Sequence, residues 1–148
     1  MLVSIITLTY NRADFLKEAL NSIFSQTFKD FEVLVGDDGS TDETPKVIKE
    51  FSNDSRLKYI TGEHVYLIKN RQRTISRAQG KYIAILDDDD IWVDQEKLEK
   101  QVRFLEENSD YAAVGTGAII INLAGKESYR FLNEEKDENI RNRILFRN

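Results

Sequence analysis

The chain has 148 residues, 41% apolar and 32% charged, which suits one globular domain with its own core and not two. Its net charge of −5 excludes the broad basic surface that holds nucleic acid by neutralising phosphates. There is no cysteine for a disulfide or thiolate metal site, no basic lead-in of a signal peptide at Met1-Leu2-Val3-Ser4, and no run near the ~20 apolar residues of a membrane span, so a soluble cytoplasmic protein is expected.

Residues 3–10 are apolar and β-branched and predict a strand buried on both faces. Leu16, Ala19, Leu20, Ile23 and Phe24 then recur at the helical period, with Asn11 or Asp14 as the expected cap. Residues 31–35 predict a second strand running into Gly36-Asp37-Asp38-Gly39-Ser40-Thr41-Asp42, where Gly39 serves a turn with positive φ. Ser40 or Thr41 is the expected cap of a helix with Pro45 in its first turn and Val47, Ile48 and Phe51 facing in. Residues 57–60 alternate like a short strand, 61–70 read as irregular, and a helix is expected over 71–78, stopped by Gly80. Residues 81–86 predict a buried strand. An amphipathic helix follows over 94–108, with Leu98, Val102 and Leu105 inward, and 112–115 and 118–122 read as strand. Beyond Lys126 the chain is charged, with Ile140, Ile144 and Leu145 at helical spacing. Strands alternating with helices imply an α/β fold with a largely parallel, Rossmann-like sheet and helices on both faces.

Four consecutive carboxylates, Asp87-Asp88-Asp89-Asp90, stand at the end of the strand over 81–86. Like charges repel by ~1 kcal/mol per close pair in water, and a divalent cation bound by oxygen ligands would relieve this. An acidic, solvated turn into a helix is the plainer alternative. Two further polar sets, Thr9-Tyr10-Asn11 and Asp37-Asp38, follow the first two strands. In a parallel sheet all three open on one edge, where ligands of such folds bind. His64, the only histidine, reads as a surface residue, Trp92 as a core anchor under the acid loop, and Phe24, Phe28, Phe31, Phe51 and Phe104 as core.

Thr9-Tyr10-Asn11-Arg12, Ser25-Gln26-Thr27-Phe28, Asp37-Asp38-Gly39-Ser40-Thr41-Asp42, Ala78-x-Gly80-Lys81-Tyr82-Ile83 and Leu86-Asp87-Asp88-Asp89-Asp90-Ile91-Trp92 resemble, in order and spacing, the family 2 glycosyltransferases. The resemblance covers residues 1–125 and implies the nucleotide-sugar-binding part of the glycosyltransferase A fold. It implies that Thr9, Tyr10 and Asn11 line the nucleotide site, with Tyr10 offering a ring face, and that Asp38 accepts a hydrogen bond from the nucleobase imide. Arg71 matches the basic residue that reaches base or diphosphate. Asp87 and Asp89 match an Asp-x-Asp motif, Asp87 on ribose or metal and Asp89 on a divalent ion, Mn²⁺ or Mg²⁺. Asp88 shares the ribose role, while Asp90 and Asp37 read as structural.

The implied reaction is inverting transfer from a nucleotide-diphosphate sugar, UDP-sugar favoured, to a saccharide or other hydroxyl acceptor. No partner for the acceptor hydroxyl is legible: Asp137-Glu138 resembles the charged helix that precedes the family's next strand, and Glu134-Glu135 is followed by Lys136 and not by an apolar helix. The general base is therefore expected beyond Asn148, the acceptor half is expected to be missing, and 126–148 is expected to begin it. Leu8, Gln72 and Thr74 depart from the family's usual Pro, Asn and Gly. A catalytically silent nucleotide-binding module is the alternative function, and homo-oligomerisation through the charged tail stays open. A nucleotidyltransferase would bring a glycine-rich loop to residues 7–14, which contain no glycine, and a phosphoaspartyl phosphatase an aspartate where Thr9 and Tyr10 stand.

Overall fold

A computed structural model describes residues 1–122 and 124–131. The chain divides into two compact units, 1–100 and 101–148. The first contains β1 (Val3–Thr9), α1 (Ala13–Phe24), β2 (Phe31–Asp37), α2 (Thr44–Phe51), β3 (Leu57–Thr61), α3 (Tyr66–Ile75) and β4 (Tyr82–Ile85), and α4 (Lys97–Glu107) runs across the division. The four strands form one parallel sheet in the order β3-β2-β1-β4, with Val3 opposite both Phe31 and Tyr82, and Val33 opposite Leu57.

This order follows from chain economy. The chain steps outward from β1 to β2 to β3 through α1 and α2, then returns across the sheet through α3 to β4. Right-handed crossovers put the outward helices on one face and the returning helix on the other. Strand alternation agrees. Phe31 meets Phe24 of α1, with ring centroids 6.2 Å apart, whereas Gly36 faces Thr74 of α3. The Val- and Ile-rich central strands β1 and β2 are buried on both faces, as expected of parallel strands. Ile5, Val33 and Val35 of the sheet and Leu16, Leu20 and Ile23 of α1 are fully buried, each side chain contributing about 1.5–3 kcal/mol by leaving water. On the α3 face the buried Glu32 accepts hydrogen bonds from Ser4 Oγ at 2.6 Å and Gln79 N–H at 2.7 Å, and pairs with Lys58 at 2.5 Å.

The second unit pairs β5 (Ala118–Ile121) with β6 (Glu127–Phe131) as an antiparallel hairpin, Ala118 opposite Phe131, closed by Asn122 N–H on the Lys126 carbonyl at 2.9 Å.

Several expectations are corrected. α3 starts at Tyr66, not 71, and ends at Ile75, so Gly80 does not stop it. Gly80 is needed for close approach: a Cβ there would lie 2.5 Å from the Ser4 nitrogen. β4 is an edge strand bonded only to β1 among the described residues, leaving Ile83 and Ile85 exposed rather than buried. Residues 112–115 form no strand, whereas 127–131, read only as charged, do. Phe31 is fully buried as expected, whereas Phe104 is exposed and not core. Trp92 is buried as expected, its backbone N–H donating to Ser22 Oγ at 3.1 Å, although α4 begins five residues later. The helical spacing of Ile140, Ile144 and Leu145 lies outside the described residues.

Candidate functional site

Parallel strands all end on one rim, and the loops after β1, β2 and β4 meet there. The loops after β1 and β2 are tied by their backbones. Asp38 N–H donates to the Thr9 carbonyl at 3.0 Å, Asn11 N–H to Ser40 Oγ at 2.9 Å, and Thr41 N–H to Asn11 Oδ1 at 2.7 Å. Asn11 sits at φ 52°, a left-handed conformation that asparagine tolerates better than most residues. It therefore does not cap α1. Asp42 does so from across the chain: its Oδ2 accepts Ala13 N–H at 3.0 Å, while its Oδ1 accepts Thr44 N–H at 3.0 Å, displacing Ser40 and Thr41 from the expected capping role at α2. Asp37 is consumed by structure, with Oδ1 accepting from Ser40 N–H at 2.9 Å and Oγ at 2.6 Å, and Oδ2 from the Tyr59 hydroxyl. Burial, then the Asp37 hydrogen bond, push the Tyr59 phenol up to about 12. Gly39 has φ +83°, as the turn requires, and a Cβ there would meet the Gly62 carbonyl at 2.9 Å.

The loops after β1 and β4 are joined by charge. Asp88 turns inward and is 5% exposed, whereas Asp87, Asp89 and Asp90 face solvent. Arg12 Nη1 lies 3.2 Å from Asp88 Oδ1 and 2.8 Å from Asp89 Oδ2. Asp88, then Asp89, raise the Arg12 guanidinium above its ordinary value. Burial pushes the Asp88 carboxyl up, with the Thr9 hydroxyl and Arg12 pulling against it. Asp90 is pushed up by burial and by the charges of Asp89 and Asp87.

Asp38 is 4% exposed and sits at the centre of the rim. Its Oδ1 accepts Val65 N–H at 2.8 Å, and its Oδ2 lies 2.8 Å from His64 Nδ1. The His64 ring stands between Tyr10 and Tyr66, with centroid distances of 4.5 Å and 4.4 Å. His64 is exposed, as expected of a surface residue, yet its ring packs against both tyrosines beside Asp38. Only the fold exposes this, because the turn from β3 to α3 has no polar spacing that marks it in sequence. Tyr66 opens α3 at φ 64° with 74% of its surface exposed. A left-handed conformation at a bulky residue costs on the order of 1–3 kcal/mol.

Arg73, and not the expected Arg71, is the arginine beside Asp38. Arg73 Nη2 donates to the Asp37 carbonyl at 2.8 Å and to Asn70 Oδ1 at 2.7 Å, and lies 4.0 Å from Asp38 Oδ1. Asn70 in turn donates to the Gly36 carbonyl at 2.8 Å. Arg71 lies on the outer side of α3, in an open groove with Leu67, Ile68 and Ile75. The early start of α3 sets this: Asn70 and Thr74 face the sheet, which turns Arg71 away. Thr9 is buried beside Asp88, Tyr10 is 45% exposed, and Asp89 stands on the same rim as Thr9 and Asp38.

The acid loop offers the oxygen-donor chemistry that a divalent ion takes. Among the described residues no group of three or more acidic or imidazole side chains is gathered for a metal. Mg²⁺-type ions bound with a diphosphate, however, need only one or two protein carboxylates, the phosphates and water completing the shell. Asp87 and Asp89 are solvent-facing hard-oxygen donors of that kind.

Comparison with known proteins identifies the family. Residues 4–147 match the family profile described as Glycosyl transferase family 2. The Escherichia coli protein UDP-Glc:alpha-D-GlcNAc-diphosphoundecaprenol beta-1,3-glucosyltransferase WfgD is 38% identical over 84% of this chain and 50% of its own length. S. aureus TarS 1-349, solved in complex with UDP-GlcNAc, superposes with a TM-score of 0.69 at 27% identity, over 84% of this chain and 42% of that TarS 1-349 chain. The Pyrobaculum calidifontis mannosyltransferase PcManGT, solved with GDP-Man and Mn2+, gives a TM-score of 0.65 at 25% identity, over 81% of this chain and 35% of its own. The chain thus spans half or less of each of these relatives. Among the described residues no helix is long and apolar enough to cross a membrane. The sheet is that of the glycosyltransferase A fold that the motifs implied, and the chain belongs to glycosyl transferase family 2.

Proposed function

We propose that this chain carries the donor-binding site of an inverting, metal-dependent glycosyltransferase, which takes a UDP-sugar and passes the sugar to a hydroxyl of a saccharide or similar acceptor. The observation that carries the reading is the meeting of the three loops: Asp38 is bonded to Thr9, and Arg12 reaches from the first loop to Asp88 and Asp89 of the third. WfgD is named for a UDP-Glc donor and TarS was solved with UDP-GlcNAc, which favours uridine.

In this reading Tyr10 offers its exposed ring to the base, and buried Asp38 accepts the imide N–H, a charge-assisted bond stronger than a neutral one. Thr9 and Asn11 shape the floor. The positive charge expected of Arg71 falls to Arg73, which stands beside Asp38. Asp88 and Asp87 serve the ribose side, and Asp87 and Asp89 hold the divalent ion. When bound, that ion stabilises the charge on the departing nucleoside diphosphate. Arg12 keeps Asp88 and Asp89 oriented toward the rim. The acceptor hydroxyl is deprotonated by a general base that the described residues do not identify.

Calorimetry with UDP, with and without Mg²⁺ or Mn²⁺, tests the site. UDP should bind more tightly with metal, Asp89→Ala should abolish that increment, and Asp38→Asn should weaken UDP by about 10–100-fold, the worth of a hydrogen bond to a charged group. UDP binding that ignores metal and both substitutions would refute the reading. Sugar transfer from a panel of UDP- and GDP-sugars then separates an active transferase from a silent nucleotide-binding module.

A further inference from the structure

His64 presents to the rim what a nucleobase would present. Its ring is a flat heterocycle whose Nδ1 lies 2.8 Å from Asp38 Oδ2 and 3.1 Å from the Asp38 carbonyl. It packs over Tyr10 at 4.5 Å with a tilt of 32°, and Tyr66 closes its far side edge-on at 4.4 Å and 62°. A ring N–H given to the Asp38 carboxylate and a ring face given to Tyr10 are the two interactions assigned above to the donor's base. Asp38 is only 4% exposed, and its other oxygen is held by Val65 N–H at 2.8 Å. It has no second open oxygen to offer.

We infer that His64 is an internal stand-in for the nucleobase, which fills the base position in the free protein and withdraws when a nucleoside diphosphate binds. The inference rests on the reading of Asp38 and Tyr10 as the base site. On exchange, Asp38 Oδ2 passes from the imidazole to the base, while Val65 N–H keeps Oδ1, so the loop stays attached at one point as the ring leaves. The His64 ring is paired with Asp38, and Arg73 Nη2 lies 4.0 Å from Asp38 Oδ1.

A second observation points the same way. Tyr66 holds a left-handed φ of 64° although its side chain is 74% exposed, so burial does not compensate the strain. Its ring contact is with the edge of His64. Release of the imidazole frees Tyr66 to relax, which offsets part of the cost of opening. Self-filling lowers apparent affinity by the fraction of molecules whose site is free.

The chain has one histidine, so its imidazole can be followed alone in the 148-residue chain. In ¹H–¹³C spectra of histidine-labelled protein, the His64 ring signals should start displaced by the Tyr10 and Tyr66 rings. They should move to the positions of a solvent-exposed histidine as UDP with Mg²⁺ saturates. By calorimetry, His64→Ala should bind UDP about 5–10-fold more tightly than wild type if the ring fills most sites. If UDP binds while the signals stay displaced, or His64→Ala binds no better than wild type, His64 is a fixed wall of the pocket and the inference is overturned. If neither protein binds UDP, the base-site reading fails and takes the inference with it. The wild-type spectra decide the question even if the variant does not fold.

Discussion

One carboxylate oxygen of Asp42 accepts the backbone N–H of Ala13 at 3.0 Å across 29 residues, while its other oxygen caps the helix that follows Asp42 itself. A single side chain thus closes the first turns of α1 and α2 and locks together the two loops that carry Tyr10 and Asp38. Asp42→Ala should cost about 1–3 kcal/mol, the loss of one to two N-caps, read as a lower urea midpoint with an unchanged slope. Asp42→Asn retains one acceptor oxygen and should lose roughly half as much. Burial pushes the Asp42 carboxyl up, but the hydrogen bonds from Thr44 and Ala13 outweigh it and hold the group below its ordinary 3.8. Because the folded value is the lower one, this stability is present above pH 3.8 and is lost as pH falls through the folded value. The acid-unfolding curve of Asp42→Ala should therefore flatten in that range.

Arg12 is the counter-charge of the acid loop. Arg12→Gln should lower stability by about 1 kcal/mol, the scale of a half-exposed ion pair, and push the already raised Asp88 carboxyl further up. It should also enlarge the rise in melting temperature produced by Mg²⁺ without nucleotide, since the carboxylates would then lack any other cation. An unchanged melting temperature together with an unchanged Mg²⁺ response would show that Arg12 compensates nothing.

Tyr59 fastens Asp37 from β3. Its phenol is raised to about 12 by burial and by the Asp37 carboxylate, so the protonated form is the one the fold favours. The associated stability is complete below pH 10.0 and is lost as pH rises through about 12. Spectrophotometric titration should show one phenol ionising late, and that late step should be missing from Tyr59→Phe. The substitution itself should cost about 1.5–3 kcal/mol, as for a hydrogen bond to a charged group.

Two glycines are set by close approach. A Cβ on Gly36 would stand 2.0 Å from Thr74 Oγ1, and one on Gly80 would stand 2.5 Å from the Ser4 nitrogen. Gly36→Ala should destabilise by about 1–3 kcal/mol through overpacking, and the double substitution Gly36→Ala, Thr74→Ala should recover most of it. Gly80→Ala meets backbone and should have no such rescue, which thermal melts of the three proteins would establish.

The alternation of apolar strands with amphipathic helices was enough to specify a parallel sheet. Once the strands are parallel, Thr9, Asp38 and Asp89 must share a rim, because each follows a strand end. Order and spacing of motifs likewise sufficed for the family. These are local or topological properties, carried by period, composition and connectivity. The partners of individual side chains were not legible, because they are set by contacts between segments distant in sequence. Asp42 caps a helix that starts 29 residues before it, Arg12 pairs across 76 and 77 residues, and His64 reaches Asp38 across 26. The rotation of α3 that brings Arg73 inward and turns Arg71 out depends on which of its faces Gly36 admits, a fit between two surfaces that neither segment encodes alone.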